Sequence, residues 1–175
     1  MYLFAVTGNP KVLIGCLSSV KGVPEKTNLV NALRSFYEMI ICCKISTLDN
    51  VVKDLRSAIH DISIANINYL NPKYIVFSEI IREIVYAKMA FINESEYLVP
   101  LVYWCLHNDY IQQGVTIIWE KILKDTTFCC DNIEYRDCEK VRRFRNGFNH
   151  ADGREINATV DNIKAFLIDH ILKKL

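Results

Sequence analysis

Residues 47–62, TLDNVVKDLRSAIHDI, carry the pattern that decides the fold. Leu48, Val52 and Leu55 follow one another at steps of four and three residues, which places them on one face of an α-helix. The same spacing recurs in the other apolar segments, at residues 29–43, 77–85, 111–122 and 160–171. Alternating runs bounded by hairpin dipeptides are missing, although residues 2–6 could form a strand. The sequence therefore predicts an all-α bundle of six or seven helices.

The predicted helix starts are marked by residues that suit a first turn. Thr27, Ser95 and Asp109 can accept a free backbone amide as N-caps, and Pro72 can open a helix at its first position. A basic helix is predicted from about residue 136 to 148. The breaks are predicted at residues 7–10, 22–24, 71–72 and 124–132.

Length and composition are those of one globular domain. The chain has 175 residues, of which 51% are hydrophobic and 23% are charged. A chain of this size buries roughly 70% of its unfolded surface, so we expect a single domain over residues 1–175 with its own core. No apolar run approaches the roughly 20 residues of a membrane span, and the N-terminus lacks the basic start and cleavage site of a secretion signal. We therefore expect a cytoplasmic protein with no membrane association.

The seven cysteines do not form a metal-binding pattern. No Cys-x-x-Cys occurs, so the spacing of a zinc ribbon is missing. A cluster of Cys129, Cys130, Cys138 and a histidine is one interpretation, but reduced thiols that pack as small apolar residues are favoured over it. We expect no metal and no cofactor.

The net charge of +1 hides a local basic patch. Between residues 136 and 154 there are six arginines and lysines but only three aspartates and glutamates. A protein with so small a net charge does not attract polyanions as a whole, so any nucleic-acid site must be local, and this patch is the candidate.

The patch contains Arg145, Asn146 and His150 within the stretch RNGFNH. On a straight helix, residues five apart point about 140° from each other, so Arg145 and His150 can share a ligand only if the helix bends or ends between them. Gly147 and Asn149 tolerate such a change. Two chains that meet at this element would also bring an arginine and a histidine from each into one pocket.

Such a pocket suits cleavage of RNA without a metal ion. A histidine titrates in the range needed to take the proton of the ribose 2′-hydroxyl, and a guanidinium stabilises the charge on the phosphoryl oxygens. An asparagine amide can orient either group. The alternative is structural: a histidine at a helix end favours the helix dipole, and the arginine is a solvated surface charge.

The stretch Arg145–His150 resembles the Arg-x(4–6)-His motif of HEPN domains. Two further stretches, LVYWCL at 101–106 and IQQGVTIIWE at 111–120, are similar to the HEPN region of ribonucleases of type III CRISPR systems, with Gly114 where that family usually has alanine. Residues 4–14 resemble the opening of the same region. The resemblance thus spans most of the chain and implies a HEPN-like helical bundle.

The resemblance implies a metal-independent endoribonuclease that cuts single-stranded RNA in CRISPR-associated antiviral defence and leaves a 2′,3′-cyclic phosphate. HEPN domains pair, so we expect a homodimer with one composite site, in which Arg145 and His150 are catalytic and Asn146 supports them. The candidate RNA contacts are Arg142, Arg143 and Asn149. For Gln112, Gln113 and Glu120, a polar seam between helices is favoured over a substrate role.

The chain departs from that family in one respect. Its full-length members carry an N-terminal CARF domain, a sheet that senses cyclic oligoadenylate, and no strand–helix alternation of that kind is found here. We therefore expect no CARF sheet, and regulation by cyclic oligoadenylate only through that absent domain. The alternatives left open are an inactive HEPN module that binds RNA or nucleotides, a toxin controlled by a partner protein, and a helical bundle whose motif arose by chance.

Overall fold

A computed structural model of the chain describes residues 9–20, 26–68, 72–124, 132–149 and 158–175. In these ranges the regular structure is helical, and they contain no strand. The helices are α1 (Pro10–Ser19), α2 (Lys26–Ile41), α3 (Leu48–Asn68), α4 (Pro72–Lys88), α5 (Leu98–His107), α6 (Ile111–Ile117), α7 (Tyr135–Asn149) and α8 (Val160–Phe166). The all-α prediction is confirmed, and no CARF-like sheet is seen in the described ranges. The strand predicted at residues 2–6 lies outside them.

Two of these helices change their winding before they end. Helix α6 continues as a π-helical stretch, Ile118–Leu123. Helix α8 continues through a π-helical stretch, Leu167–Ile171, into a short 3₁₀ turn, Leu172–Lys174. Short 3₁₀ turns also stand before α3, at Ile45–Thr47, and after α4, at Ala90–Asn93.

The described residues fall into two compact units, Met1–Ser95 and Glu96–Leu175. In the first unit α1 packs on α2, α2 on α3, and α3 on α4. The apolar residues that form its core include Leu13, Leu17, Leu29, Leu33, Phe36, Ile40, Leu48, Val52, Leu55, Ile59, Ile62, Ile81 and Val85. Each fully buried side chain of this kind stabilises the folded state by about 1.5–3 kcal/mol. The single-domain interpretation of residues 1–175 stays a prediction.

Helix α1 has no counterpart in the sequence prediction, which interpreted residues 7–10 as a break. Asn9 is the N-cap, because its Oδ1 accepts from the backbone N of Lys11 at 2.9 Å, and Pro10 takes the first helical position. Leu13 and Leu17, four residues apart, are fully buried. The Asn-Pro pair therefore begins a helix.

The 3₁₀ turn after α4 and the residue that follows it contact the rest of the first unit through two hydrogen bonds and one ring stacking. The Arg56 guanidinium of α3 donates through Nε to the carbonyl of Ile92 at 2.7 Å and through Nη2 to the carbonyl of Glu94. Phe91 in the turn stacks on Phe36 of α2 with ring centroids 5.5 Å apart. The turn thus closes the core over α2 and α3.

Four details of the sequence prediction are wrong at helix boundaries and faces. Thr27 is not an N-cap, because α2 begins at Lys26 and contains it. Ser95 caps nothing, because α5 begins at Leu98, three residues later. Asp109 has a φ of 62° and precedes α6 by two residues; its carboxylate pairs with Lys164 at 2.5 Å. Aspartate tolerates that left-handed conformation better than most residues. Ile80 belongs to the apolar pattern of residues 77–85, which predicts it to be buried, but its side chain is 42% exposed because Ile81 and Val85 define the buried face of α4.

The second unit contains α5 to α8. Helix α5 packs on α6, α6 on α7, and α7 on the continuation of α8. The contact between α5 and α6 is close at Gly114, where an added Cβ would lie 3.2 Å from Cδ2 of Leu106. Trp104 stacks on Tyr110 at 5.4 Å, at the turn between the two helices. Within the described ranges, no helix is long and apolar enough to cross a membrane.

Candidate active site

Helix α7 carries most of the candidate residues, and its burial pattern fixes where each one points. Val141, Phe144 and Gly147, at steps of three residues, are buried. Arg145 and Asn146 lie at the border of this face and are half-buried. The helix is continuous through Gly147 and ends at Asn149. Gly147 therefore packs within the helix and does not break it, contrary to one interpretation of the sequence.

The Arg145 guanidinium is held by two neighbours. Its Nη2 donates to Oε1 of Glu120 at 3.0 Å, and its Nη1 donates to Oδ1 of Asn146 at 3.2 Å. The other oxygen of Glu120 accepts from Lys124 at 2.9 Å. The side chains of Arg145 and Glu120 remain 33% and 27% exposed. The cation is therefore oriented by a carboxylate and still open to solvent.

The Nε donor of this guanidinium takes no part in these two contacts. The Nε atom of Arg145 is buried and makes no hydrogen bond to any residue that the structure describes. A buried polar group without a partner costs about 1–3 kcal/mol, so arrangements of this kind are uncommon in folded proteins.

Glu120 lies within the π-helical stretch that continues α6. The backbone N of Lys124 bonds to the carbonyl of Trp119, five residues earlier, at 3.1 Å. The wider turn changes the angular position of the residues after it, and such stretches are frequent at functional sites. A prediction based on a period of 3.6 residues cannot detect this change.

A second polar contact joins the same two helices. Nε2 of Gln112 donates to Oδ1 of Asn149 at 3.2 Å. Along α6 the order is Gln112 then Glu120, while their partners on α7 run in the opposite order, Asn149 then Arg145. The two helices are therefore antiparallel along this seam. Gln112 and Glu120 form the polar seam that the sequence analysis favoured for them.

The candidate RNA contacts do not all lie together. Asn149 lies in the seam with Gln112. Arg142 shares this face of α7 by its spacing of seven residues from Asn149, and its guanidinium is held by Oε2 of Glu139 through Nε at 3.1 Å and Nη2 at 2.7 Å. Arg143 is about 200° around the helix from Arg145 and lines a cleft against α8. The structure thus brings Arg142, Arg145, Asn146 and Asn149 to one side of α7, and places Arg143 on a nearly opposite side.

His150 lies outside the described residues, so its pairing with Arg145 stays a prediction. Cys129 and Cys130 also lie outside them. In the part of the chain that is described, no three histidine, cysteine, aspartate or glutamate side chains are grouped so that they could hold a metal ion.

Two features of this unit were not predicted from the sequence. Lys124 shares Glu120 with Arg145, and its signal was the i, i+4 spacing from Glu120. A cleft of about 640 Å³ between α7 and α8 is lined by Lys140, Arg143 and His170. The basic character of α7 was visible in the sequence, but its pairing with α8 was not.

Comparisons of the chain with known protein families, with curated proteins and with solved structures found no match. The all-α fold and the polar cluster around Arg145 are therefore the observations on which a function can be argued.

Proposed function

We propose that this chain is a HEPN-type, metal-independent endoribonuclease that cuts single-stranded RNA in CRISPR-associated antiviral defence. One observation carries the proposal. The Arg145 guanidinium is held between Glu120 and Asn146 on a partly exposed seam, at the end of the helix that leads to His150 in the sequence. The resemblance of residues 145–150 to the HEPN motif gives this cluster its chemical interpretation.

In the proposed reaction the ribose 2′-oxygen attacks the adjacent phosphorus. The 2′-oxygen–phosphorus bond forms, the bond to the 5′-oxygen of the next nucleotide breaks, and a 2′,3′-cyclic phosphate remains. His150 takes the proton of the 2′-hydroxyl, because an imidazole titrates near neutral pH. The departing 5′-oxygen takes a proton from solvent or from the second histidine of a composite site.

Arg145 stabilises the negative charge that builds up on the phosphoryl oxygens. A guanidinium has five N–H donors, and the contacts to Glu120 and Asn146 account for two of them. The second N–H of Nη1 and that of Nη2 can bind a phosphoryl oxygen as a charge-assisted pair. Glu120 is then a positioning residue: it fixes the guanidinium plane before the substrate arrives, which lowers the cost of organising the site.

The proposal includes a homodimer in the cytoplasm, in which two copies of this element form one composite site. A dimer suits this chemistry, since one histidine would take a proton and a second would give one at the same pH. The specific activity of such an enzyme falls on dilution below its dimer dissociation constant.

The test is cleavage of a labelled single-stranded RNA in the presence of a chelator. The full chain is compared with His150→Ala and Arg145→Ala, and with Arg136→Ala as the matched control on the same helix, since the Arg136 side chain is 83% exposed in the first turn of α7 and has no proposed role in the site. We expect cleavage by the parent and the control, none by the two site variants, and 2′,3′-cyclic phosphate ends.

Two results would contradict the proposal. If a chelator abolishes cleavage and a divalent ion restores it, the mechanism without metal is wrong. If the parent binds the RNA but leaves it intact under all conditions, the chain is a binding module and the Arg/His pair is not catalytic.

A further inference from the structure

A cleft lies on the side of α7 that faces away from Arg145. It has a volume of about 640 Å³, within the roughly 300–1,000 Å³ typical of small-molecule sites. Helix α7 contributes Lys140, Arg143 and Phe144, and α8 with its continuation contributes Asn162, Phe166 and His170. Both walls belong to the second unit.

Two cations, Lys140 and Arg143, line this cleft, and neither forms an ion pair with a carboxylate in the described ranges. The ammonium of Lys140 lies 4.0 Å from the centre of the Phe166 ring, so a cation–π contact holds it in place while its charge is kept. Arg143 is exposed and forms no ion pair with any described residue. Both positive charges are therefore available to a ligand.

The carboxylates close to the cleft are already engaged. Asp169 binds Lys173 at 2.7 Å, and Glu139 binds Arg142 at 2.7 Å. Asp137 has a side chain only 5% exposed and lies within 3.3 Å of His170 and 3.5 Å of Lys174. Once these pairs are accounted for, the cleft carries a net positive charge from Lys140 and Arg143.

Two contacts hold the His170 ring in place. Its ring stacks on Phe166 with centroids 4.9 Å apart, and its Nδ1 contacts the buried carboxylate of Asp137. The contact at Nδ1 fixes the ring and leaves Nε2 as the nitrogen that can meet a ligand. The side chain is 49% exposed, so a flat partner can reach the ring.

We propose that this cleft binds the phosphate group of a nucleotide, with Arg143 and Lys140 on the phosphate and His170 against the base or phosphate. The two charges of Arg143 and Lys140 match an anion, and the apolar walls with an exposed imidazole match a planar base. The proposal does not rest on the ribonuclease assignment, because Arg143 points about 200° away from Arg145 on α7.

A phosphomonoester could come from a free nucleotide or from the 5′ end of an RNA chain. The test therefore uses five probes with the full-length protein at low salt: inorganic phosphate, adenosine, AMP, and a short RNA with and without a 5′-phosphate. Binding is measured by isothermal titration, and the ring signals of His170 are followed by NMR. A tighter fit for the phosphorylated RNA than for AMP would identify the RNA end as the source; the reverse order would identify the free nucleotide.

The decisive variants are Arg143→Gln and its neighbour Arg142→Gln, which removes one charge from the same helix outside the cleft. We expect AMP to bind and adenosine to bind much more weakly. We also expect Arg143→Gln to weaken AMP at least about tenfold, as the loss of a charge-assisted hydrogen bond does, with Arg142→Gln within about twofold of the parent. Lys140→Met, which keeps the side-chain stem, should weaken AMP in the same way.

Three outcomes would overturn the proposal: equal binding of AMP and adenosine, equal loss in Arg142→Gln and Arg143→Gln, or no binding of any phosphorylated probe by a folded parent. Circular dichroism of each variant separates lost binding from lost folding. RNA cleavage that persists while AMP binding fails would remove this proposal and leave the ribonuclease assignment standing.

Discussion

The pair Glu120–Arg145 gives a prediction whose size can be worked from the structure. The perturbation is a double-mutant cycle with Glu120→Gln, Arg145→Met and both together. Fully exposed ion pairs contribute about 0.2–1 kcal/mol, and hydrogen bonds to charged groups contribute about 1.5–3 kcal/mol. With 33% and 27% of the two side chains exposed and a distance of 3.0 Å, this pair lies between those cases. We expect a coupling energy of about 1–1.5 kcal/mol.

The assay is urea unfolding followed by tryptophan fluorescence. The chain has two tryptophans, Trp104 and Trp119, and both belong to the second unit, so the signal reports on the unit that contains the pair. Glu120→Gln also weakens the contact with Lys124, but that loss occurs in the single and double variants alike and cancels in the cycle.

The coupling should fall as salt is raised from about 0.05 to 1 M, because partly exposed charges are screened. A coupling below about 0.3 kcal/mol at low salt would refute the argument, since that is the additivity expected of residues that do not interact. It would also remove the reason for calling Glu120 a positioning residue.

Three further predictions concern packing, capping and charge. Gly114→Ala gains about 1 kcal/mol of helix propensity, but its new Cβ would lie 3.2 Å from Cδ2 of Leu106 and displace that methyl. We therefore expect the unfolding free energy to change by less than about 1 kcal/mol for Gly114→Ala, and to fall by more than about 2 kcal/mol for the larger Gly114→Val. Asn9→Ala should cost about 1 kcal/mol, seen as reduced hydrogen-exchange protection in α1. The hydrogen bond from Lys173, together with the charges of Lys173 and His170, lowers the pKa of Asp169. The stability that this pair contributes is therefore present above the ordinary aspartate pKa and is lost as pH falls through the lowered pKa. Lys173→Met should therefore raise the pKa of Asp169 toward its ordinary value in an NMR titration.

Periodicity predicted the helices well where one apolar stripe is narrow. All the stripe residues of α3 that were named, among them Leu48 and Leu55, are buried. It failed at α1, because asparagine followed by proline marks both a loop and the start of a helix, and only the buried Leu13 and Leu17 distinguish the two. The physical cause is that the same side-chain acceptor serves turns and caps.

The candidate site was predictable in its residue types but not in its partners. Arg145 and Asn146 stand out in the sequence, whereas Glu120 lies 25 residues earlier and meets Arg145 where α6 and its π-helical continuation pack antiparallel to α7. His170 showed no partner in the sequence because Asp137 is 33 residues away. Contacts of this kind depend on the packing of helices, which local pattern does not specify.

The geometry of α7 separates the two proposals that depend on it. Arg143 and Arg145 are two residues apart, so their side chains leave the helix on nearly opposite sides. Arg145 meets the seam with α6, and Arg143 meets the cleft with α8. A variant at Arg143 should therefore change nucleotide binding while RNA cleavage is kept, and a variant at Arg145 should do the reverse. If the substrate instead wrapped around α7 and used both arginines, each variant would impair both activities, and the cleft would be part of the RNA path.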